Sequence, residues 1–241
     1  MKKKLSKYFR KALQIFLNEN ISFTYLHRKK ILNFLFEKTF DDKAKIIHNK
    51  NEYFKISCDY VKKFENRINL EFGIGIGGTA KIFSKNLNNC KIYGFDSFDG
   101  FLDDPETKTF WSPFQKVFKQ RKKPPLSLPD NYEIIEGFVE NTLPNFNKEV
   151  LSKLNYDYIF AHIDVDVYEP TKVILKTICS KRKKSFLMFD EFTNYDDFEK
   201  HEWRAFYEEV ICNEIPYKIK FVSNAGSDHF GHLSKYFIEI Y

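Results

Sequence analysis

From Ile68 onward, short apolar runs closed by glycine or an acid alternate with stretches of helical periodicity, and this alternation is the strongest constraint on the fold. The runs fall at 68–72, 91–95, 132–135, 158–163 and 185–189. Parallel neighbours in a sheet need a long crossover, and a helix is the element that normally supplies one. The alternation therefore predicts an α/β, Rossmann-like fold: a mainly parallel sheet with helices on both faces. Two later runs, 217–222 and 236–240, have no helical stretch between them and predict a closing antiparallel hairpin at the C-terminus.

The preceding residues read differently. Leu5, Phe9, Leu13, Phe16 and Leu17, then Ile31, Leu32, Leu35 and Phe36, recur at spacings of three and four. Residues 1–66 are thus expected to form an N-terminal helical cap, packed on the main domain (67–241) or on a second copy in a homodimer. The stretch 111–131, with Arg121-Lys122-Lys123-Pro124-Pro125, is too charged and proline-rich for a regular element and is expected to be a loop near the mouth of a site.

Composition removes several function classes. No apolar run approaches the roughly 18–20 residues that cross a bilayer. The lysines at 2–4 lead into a segment broken by Lys7, Arg10, Lys11 and Gln14, where a signal peptide would need an apolar block, so a cytoplasmic protein is expected. The four cysteines show neither a CxxC pair nor zinc-finger spacing with histidine. The net charge of +6 is spread over many lysine-rich stretches, which favours a solvated surface over a nucleic-acid-binding face.

The segment 69–80 runs from an apolar strand through Glu71, Gly73, Gly75, Gly77 and Gly78 into Thr79 and a helix. That order brings bare backbone close to a ligand at a helix N-terminus. The next strand ends in Asp96, roughly 20 residues on, where a carboxylate can accept both hydroxyls of a ribose. Together they predict an adenosine site. Glu71 at the strand end would sit poorly beside a pyrophosphate but suits a cationic sulfonium amino acid, and the glycine spacing departs from GxGxxG. Both features move the reading from NAD to S-adenosylmethionine. An NAD-dependent oxidoreductase or epimerase on the same fold is the alternative, with its Tyr-x-x-x-Lys pair expected to be lacking. A noncatalytic adenosine-binding or polyanion-binding protein is a third reading.

Acids close two further strands. Strand alternation would place His162, Asp164 and Asp166 on one side, and the next run ends in Asp190-Glu191. Carboxyl ends of parallel strands line the ligand crevice, so these pairs are expected to face Asp96 and the glycine turn. Clustered carboxylates repel unless a cation joins them, and hard oxygen donors suit magnesium, calcium or manganese. The plain structural alternative is that they cap helices or pair with surface lysines.

The blocks 71–73, 93–101, 137–144, 163–171 and 190–192, in that order, resemble the macrocin O-methyltransferase family over about residues 68–195. The resemblance implies a class I methyltransferase that uses S-adenosylmethionine and a divalent metal, usually magnesium, to methylate a hydroxyl, often on a sugar or sugar-containing small molecule. It implies a metal held by Asp164, Asp190 and Glu191, and Asp166 as base, with Asp164 sharing or exchanging that role. The cofactor is expected to be bound by Glu71, Gly73, Gly75, Gly77 and Thr79 of the glycine turn, by Asp96 and Ser97, and by Gly137, Phe138 and Asp164. The family commonly has two aspartates before an aromatic where this chain has Asp190-Glu191-Phe192, so Glu191 is expected to shift the metal or hold it through water. The N-terminal helices and the 111–131 loop match nothing clearly, so the acceptor is not transferred.

Overall fold

The computed structural model describes residues 40–87, 90–102, 128–193, 195, 197–224 and 233–241, together with Trp111, Phe114 and Phe118. Most of the expected N-terminal cap and most of the 111–131 loop lie outside these residues.

The elements in chain order are β1 (Phe40–Ile47), α1 (Lys50–Val61), β2 (Arg67–Phe72), α2 (Gly78–Asn86), β3 (Ile92–Asp96), β4 (Tyr132–Glu136), α3 (Val139–Phe146), β5 (Tyr158–Ile163), α4 (Tyr168–Ser180), β6 (Lys184–Phe189), α5 (Glu202–Phe206), β7 (Tyr217–Ser223) and β8 (Lys235–Ile240). They build one eight-stranded sheet in the order β1-β7-β8-β6-β5-β2-β3-β4. β8 runs antiparallel between β6 and β7, and every other pairing is parallel. The expected sheet and C-terminal hairpin are present, and all seven strands read from the sequence are found within one residue of their expected ends.

Two apolar layers cover the sheet. Phe160, Phe186, Met188 and Phe237 face Phe54 of α1 and Phe83 of α2 on one side. Leu70, Phe95, Ile163, Leu187 and Ile238 face Leu143 of α3, Leu175 of α4 and Phe206 of α5 on the other. α1 shows why these residues become a helix: Asn49 caps it by accepting from Glu52 N at 3.0 Å, and Tyr53, Phe54, Ser57, Cys58 and Val61 form its buried stripe.

β1 is a difference from the sequence reading, which placed only helices before residue 67. Its Asp41-Asp42-Lys43-Ala44-Lys45 core has poor strand propensity. Parallel pairing to β7 and the Lys220–Asp41 ion pair hold it at the sheet edge. Tertiary pairing overrides local preference there.

The chain order reverses between β2 and β5: β3 and β4 add on one side of that pair, β6 on the other. Parallel sheets open a ligand crevice outside such a switch point. Here the backbones nearly touch, with Asp164 N donating to Phe72 O at 2.9 Å.

Candidate functional site

The glycine turn folds back on the end of β3. Gly73, Gly75 and Gly77 all have positive φ, the last as the residue that starts α2. At Gly73 a Cβ would lie 1.9 Å from Asp164 O, so glycine is what lets the ends of β2 and β5 close together. Asp96 Oδ2 accepts from Ile74 N and Gly75 N, both at 2.8 Å, and its Oδ1 accepts from Phe98 N at 2.7 Å. A carboxylate offers about four acceptor positions, which leaves this one capacity toward the crevice while it ties the turn down.

Other residues expected at the cofactor surround this turn. Ser97 Oγ donates to Gly100 O at 2.7 Å and accepts from Asp99 N at 3.1 Å, closing the turn after β3. Gly137 N donates to Asp96 O at 2.9 Å, bringing the end of β4 against the end of β3, and Phe138 O accepts from Asn141 N and Thr142 N at the start of α3. The glycine turn, Asp96, Ser97, Gly137 and Phe138 are thus brought together at the carboxyl ends of β2, β3 and β4.

Glu71 is 0% exposed and lies behind the turn. Its Oε1 accepts from Thr79 Oγ1 at 2.5 Å and its Oε2 from Tyr132 Oη at 2.6 Å. Tyr132 belongs to β4, two strands away, and reaches Glu71 by crossing over Gly94, where a Cβ would lie 2.1 Å from its hydroxyl oxygen. Burial and then the Glu71 carboxylate push the Tyr132 phenol far up, so it stays a donor. His162 Nδ1 stands 3.6 Å from Glu71 Oε1, its ring edge-on to Phe54 and Phe83. This locked group holds the glycine turn from below; sequence reasoning missed Tyr132 because nothing local links β4 to β2.

Across the switch point, Asp164, Asp190 and Glu191 each offer an oxygen, and these oxygens lie within 4.8 Å of one another. Two oxygens on one cation at the 2.0–2.6 Å typical of magnesium or calcium stand at most about 4–5 Å apart, so the three fit a single hard cation. Asp190 is 5% exposed, and its Oδ1 has no hydrogen-bond partner among the described residues, an orphaned buried acceptor that a cation would satisfy. Its Oδ2 is occupied: Lys235 Nζ lies 2.8 Å away and Lys50 Nζ 3.7 Å. Lys235 also reaches Asp190 O at 3.1 Å and Glu191 Oε1 at 3.7 Å.

The electrostatics divide the three acids. Burial, then the charges of Asp190 and Asp166, push Asp164 well above the ordinary carboxylate range. Burial and Asp190 do the same to Glu191. Burial would raise Asp190 too, but the ammonium groups of Lys235 and Lys50 outweigh it and hold that carboxyl at about 2. Burial would strip the proton from Lys235, yet Asp190 and Glu191 outweigh burial and keep the group charged.

Strand alternation does not carry on to Asp166, which corrects the expected His162/Asp164/Asp166 face. β5 ends at Ile163, and the chain turns so tightly that Val167 N meets Val165 O at 2.6 Å, with Asp166 at φ 63°. His162 stays in the core while Asp164 and Asp166 leave the sheet. Glu202, 0% exposed at the start of α5, holds the turn: its Oε1 accepts from Asp166 N at 3.3 Å and Val165 N at 3.4 Å. Glu202 Oε2 has no partner among the described residues. Burial, then Asp166, Asp164 and Glu191, push Glu202 well above its usual range. Tyr195 ranges its ring beside Trp111 at 5.6 Å and His201 at 6.1 Å, which brings one residue of the 111–131 stretch against the acid side of the site.

Sequence reasoning also missed Lys235 and Glu202. A signal for Lys235 exists in the register: Phe189 pairs Tyr236, so one further step sets Asp190 beside Lys235. Glu202 reaches the site through helix packing, for which no local pattern exists.

Tyr168 and Lys172 do have the Tyr-x-x-x-Lys spacing, which corrects the expectation that the chain lacks it; Tyr25 and Lys29 share that spacing outside the described residues. Lys172 Nζ lies 2.5 Å from Tyr168 Oη, and Glu208 Oε2 binds both, at 3.0 Å and 2.6 Å, with Arg204 stacked on the Tyr168 ring at 4.3 Å. The pair is thereby engaged in bracing α4 against the segment that follows α5.

The sequence matches no protein-family model and no curated protein. Among solved structures it is similar to an O-methyltransferase from Bacillus cereus in complex with SAH, with a TM-score of 0.51 and 12% identity over 95% of this chain and 96% of that one. It is also similar to CalS11, a TDP-rhamnose 3'-O-methyltransferase in calicheamicin biosynthesis (TM-score 0.47, 19% identity, 96% of this chain and 92% of that one). A third is the O-methyltransferase TomG from Streptomyces achromogenes, in complex with SAM (TM-score 0.47, 11% identity, 78% and 79%). The strand order and the first of these likenesses show the Rossmann-like fold of class I methyltransferases. Among the described residues, no helix is long and apolar enough to cross a membrane.

Proposed function

We propose that the protein is an S-adenosylmethionine-dependent O-methyltransferase, assisted by a divalent metal, that methylates a hydroxyl of a sugar or sugar-containing small molecule. The observation that carries this reading is the juxtaposition at one switch point of a glycine turn tied to Asp96 and an acid trio whose buried member, Asp190, has an orphaned oxygen. The antiparallel β8 supports it over a dinucleotide enzyme, whose sheet is ordinarily all parallel in the order 3-2-1-4-5-6. The sugar acceptor rests on the resemblance of the five sequence blocks.

S-adenosylmethionine supplies a methyl group on a sulfonium, a leaving group that needs no protonation. Gly73, Gly75 and Gly77, whose own N–H groups are taken by Phe95 O, Asp96 Oδ2 and Ile74 O, would let its amino-acid end lie close against the turn; Asp96 would accept from a ribose hydroxyl beside Ser97, and Gly137 and Phe138 would border its base. Glu71 and Thr79 act from behind the turn, where the buried carboxylate also offsets the sulfonium charge. Asp164, Asp190 and Glu191 would hold the metal, which lowers the pKa of an acceptor hydroxyl and orients it. Asp166 takes the acceptor proton, a contribution of about 10²- to 10⁴-fold for a well-placed base. Glu202 keeps Asp166 in its turn, and the near contact of β2 and β5 holds the acid side of the site next to the glycine turn, where an acceptor and the methyl donor would be brought together.

Calorimetric titration of S-adenosylmethionine, with and without magnesium, tests this. Micromolar binding is expected for the unaltered protein and for Asp190→Ala, with loss in Asp96→Ala; methyl transfer to saccharide acceptors should fail in both variants. Binding of NAD in place of S-adenosylmethionine would overturn the reading.

A further inference from the structure

The acid trio contains a cation of its own. Lys235 is 1% exposed, and its ammonium bonds Asp190 through both the side chain (2.8 Å) and the carbonyl (3.1 Å), with Glu191 3.7 Å away. A buried lysine is costly unless fully paired, and Lys235 opens β8, an interior strand whose start lies beside Asp190. Lys50, whose side chain is 47% exposed, approaches the same Asp190 oxygen from outside at 3.7 Å. Asp190 therefore splits its carboxylate, with Oδ2 turned to the lysines and Oδ1 left without a hydrogen-bond partner among the described residues.

We infer that Lys235 is the built-in counter-cation of the trio and sets which metal the trio accepts, matching it to a divalent ion and rejecting ions of higher charge. This rests on the proposed metal site. The trio and the proposed base Asp166 as carboxylates, the ammoniums of Lys235 and Lys50 and one divalent cation sum to zero charge. A trivalent ion would leave a buried net positive charge, which a low-dielectric interior penalises. Lys235 also holds Asp190 in place, so its removal acts in two ways that can be separated. Loss of positioning weakens every metal alike; loss of the positive charge favours each metal in proportion to the metal's own charge.

The test compares manganese binding, read by electron paramagnetic resonance, with terbium binding, read by luminescence. The unaltered protein, Lys235→Met, Lys50→Met and Asp190→Asn are compared, with folding checked by circular dichroism. In Lys235→Met the terbium-to-manganese affinity ratio is expected to rise at least tenfold, with manganese itself bound more tightly. Lys50→Met, altered at an exposed side chain, is expected to raise the ratio about two- to threefold, and it carries the test if Lys235→Met does not fold. Manganese bound only after Lys235 is removed would overturn the inference, because the trio with its lysine would then accept no divalent ion. A ratio unchanged in the folded lysine variants overturns it. If neither ion binds any of the proteins, or if Asp190→Asn binds as the unaltered protein does, the metal site fails with it, whereas binding of S-adenosylmethionine still judges the cofactor reading separately.

Discussion

Replacing Gly73 with alanine should damage this protein far more than the same change five residues on. At Gly73 the added Cβ would stand 1.9 Å from Asp164 O and 2.8 Å from Asp164 C, at φ +88°. Ordinary contact begins at 3.4 Å, so the carbonyl must retreat by about 1.5 Å, or the turn must lift off β5. A left-handed conformation costs a residue with a Cβ roughly 1–2 kcal/mol, and forcing an extra carbon into a packed site about 1–3 kcal/mol. Together these give roughly 2–5 kcal/mol. For a domain of this size, each kcal/mol lowers Tm by about 2–4 °C, so a fall of roughly 4–20 °C is expected. Asp164 moves with its carbonyl, so metal binding should weaken along with S-adenosylmethionine binding. At Gly78 nothing lies within 4 Å of the added carbon, and alanine suits a helix better than glycine by up to about 1 kcal/mol. Thermal unfolding of Gly78→Ala should therefore show Tm unchanged or raised. Equal melting of Gly73→Ala and the unaltered protein, or an equal fall in both variants, would refute the reasoning.

Glu202 keeps its proton in the fold at pH values where the unfolded chain has lost it, so its contribution to stability is full below the unfolded value of about 4.3 and declines as pH rises toward the folded value. Metal-free Glu202→Gln, which keeps the acceptor for Asp166 N, should gain on the unaltered protein by up to about 1.4 kcal/mol per pH unit as pH rises from 5; urea titrations giving a constant difference would contradict this. Tyr132→Phe leaves Glu71 Oε2 buried without its donor and should cost about 1–3 kcal/mol, seen as a lower urea midpoint; an unchanged midpoint would place Tyr132 outside the lock. Manganese affinity should rise with pH because Asp164 and Glu191 hold protons the ion must displace, and calorimetry in buffers of differing ionisation enthalpy should register proton release; none would contradict the raised pKa values.

The sheet is legible in the amino-acid sequence because its signals are local. Each strand from β2 to β8 is an apolar run with its own boundary, and parallel order follows from the helices between them. The glycine turn, Asp96, the Asp164 turn and Asp190-Glu191 are legible for a related reason: in this architecture the carboxyl ends of neighbouring strands converge, so residues that close strands are neighbours in space. β1 is hidden because its Asp-Asp-Lys-Ala-Lys sequence becomes a strand only when β7 is beside it. The turn at Asp166 is hidden because alternation says nothing about where a strand stops.

The sequence by itself determined the layered α/β framework and which strand ends carry acids and glycines. Only the tertiary structure decided what those groups meet. Tyr132 crosses Gly94 to reach Glu71, Glu202 arrives from α5 beneath Asp166, and antiparallel pairing of β8 delivers Lys235 to Asp190. Period and propensity act within a few residues along the chain, whereas burial, charge and proton affinity at this site depend on side chains separated by about 40 to 60 positions and joined only when the sheet closes.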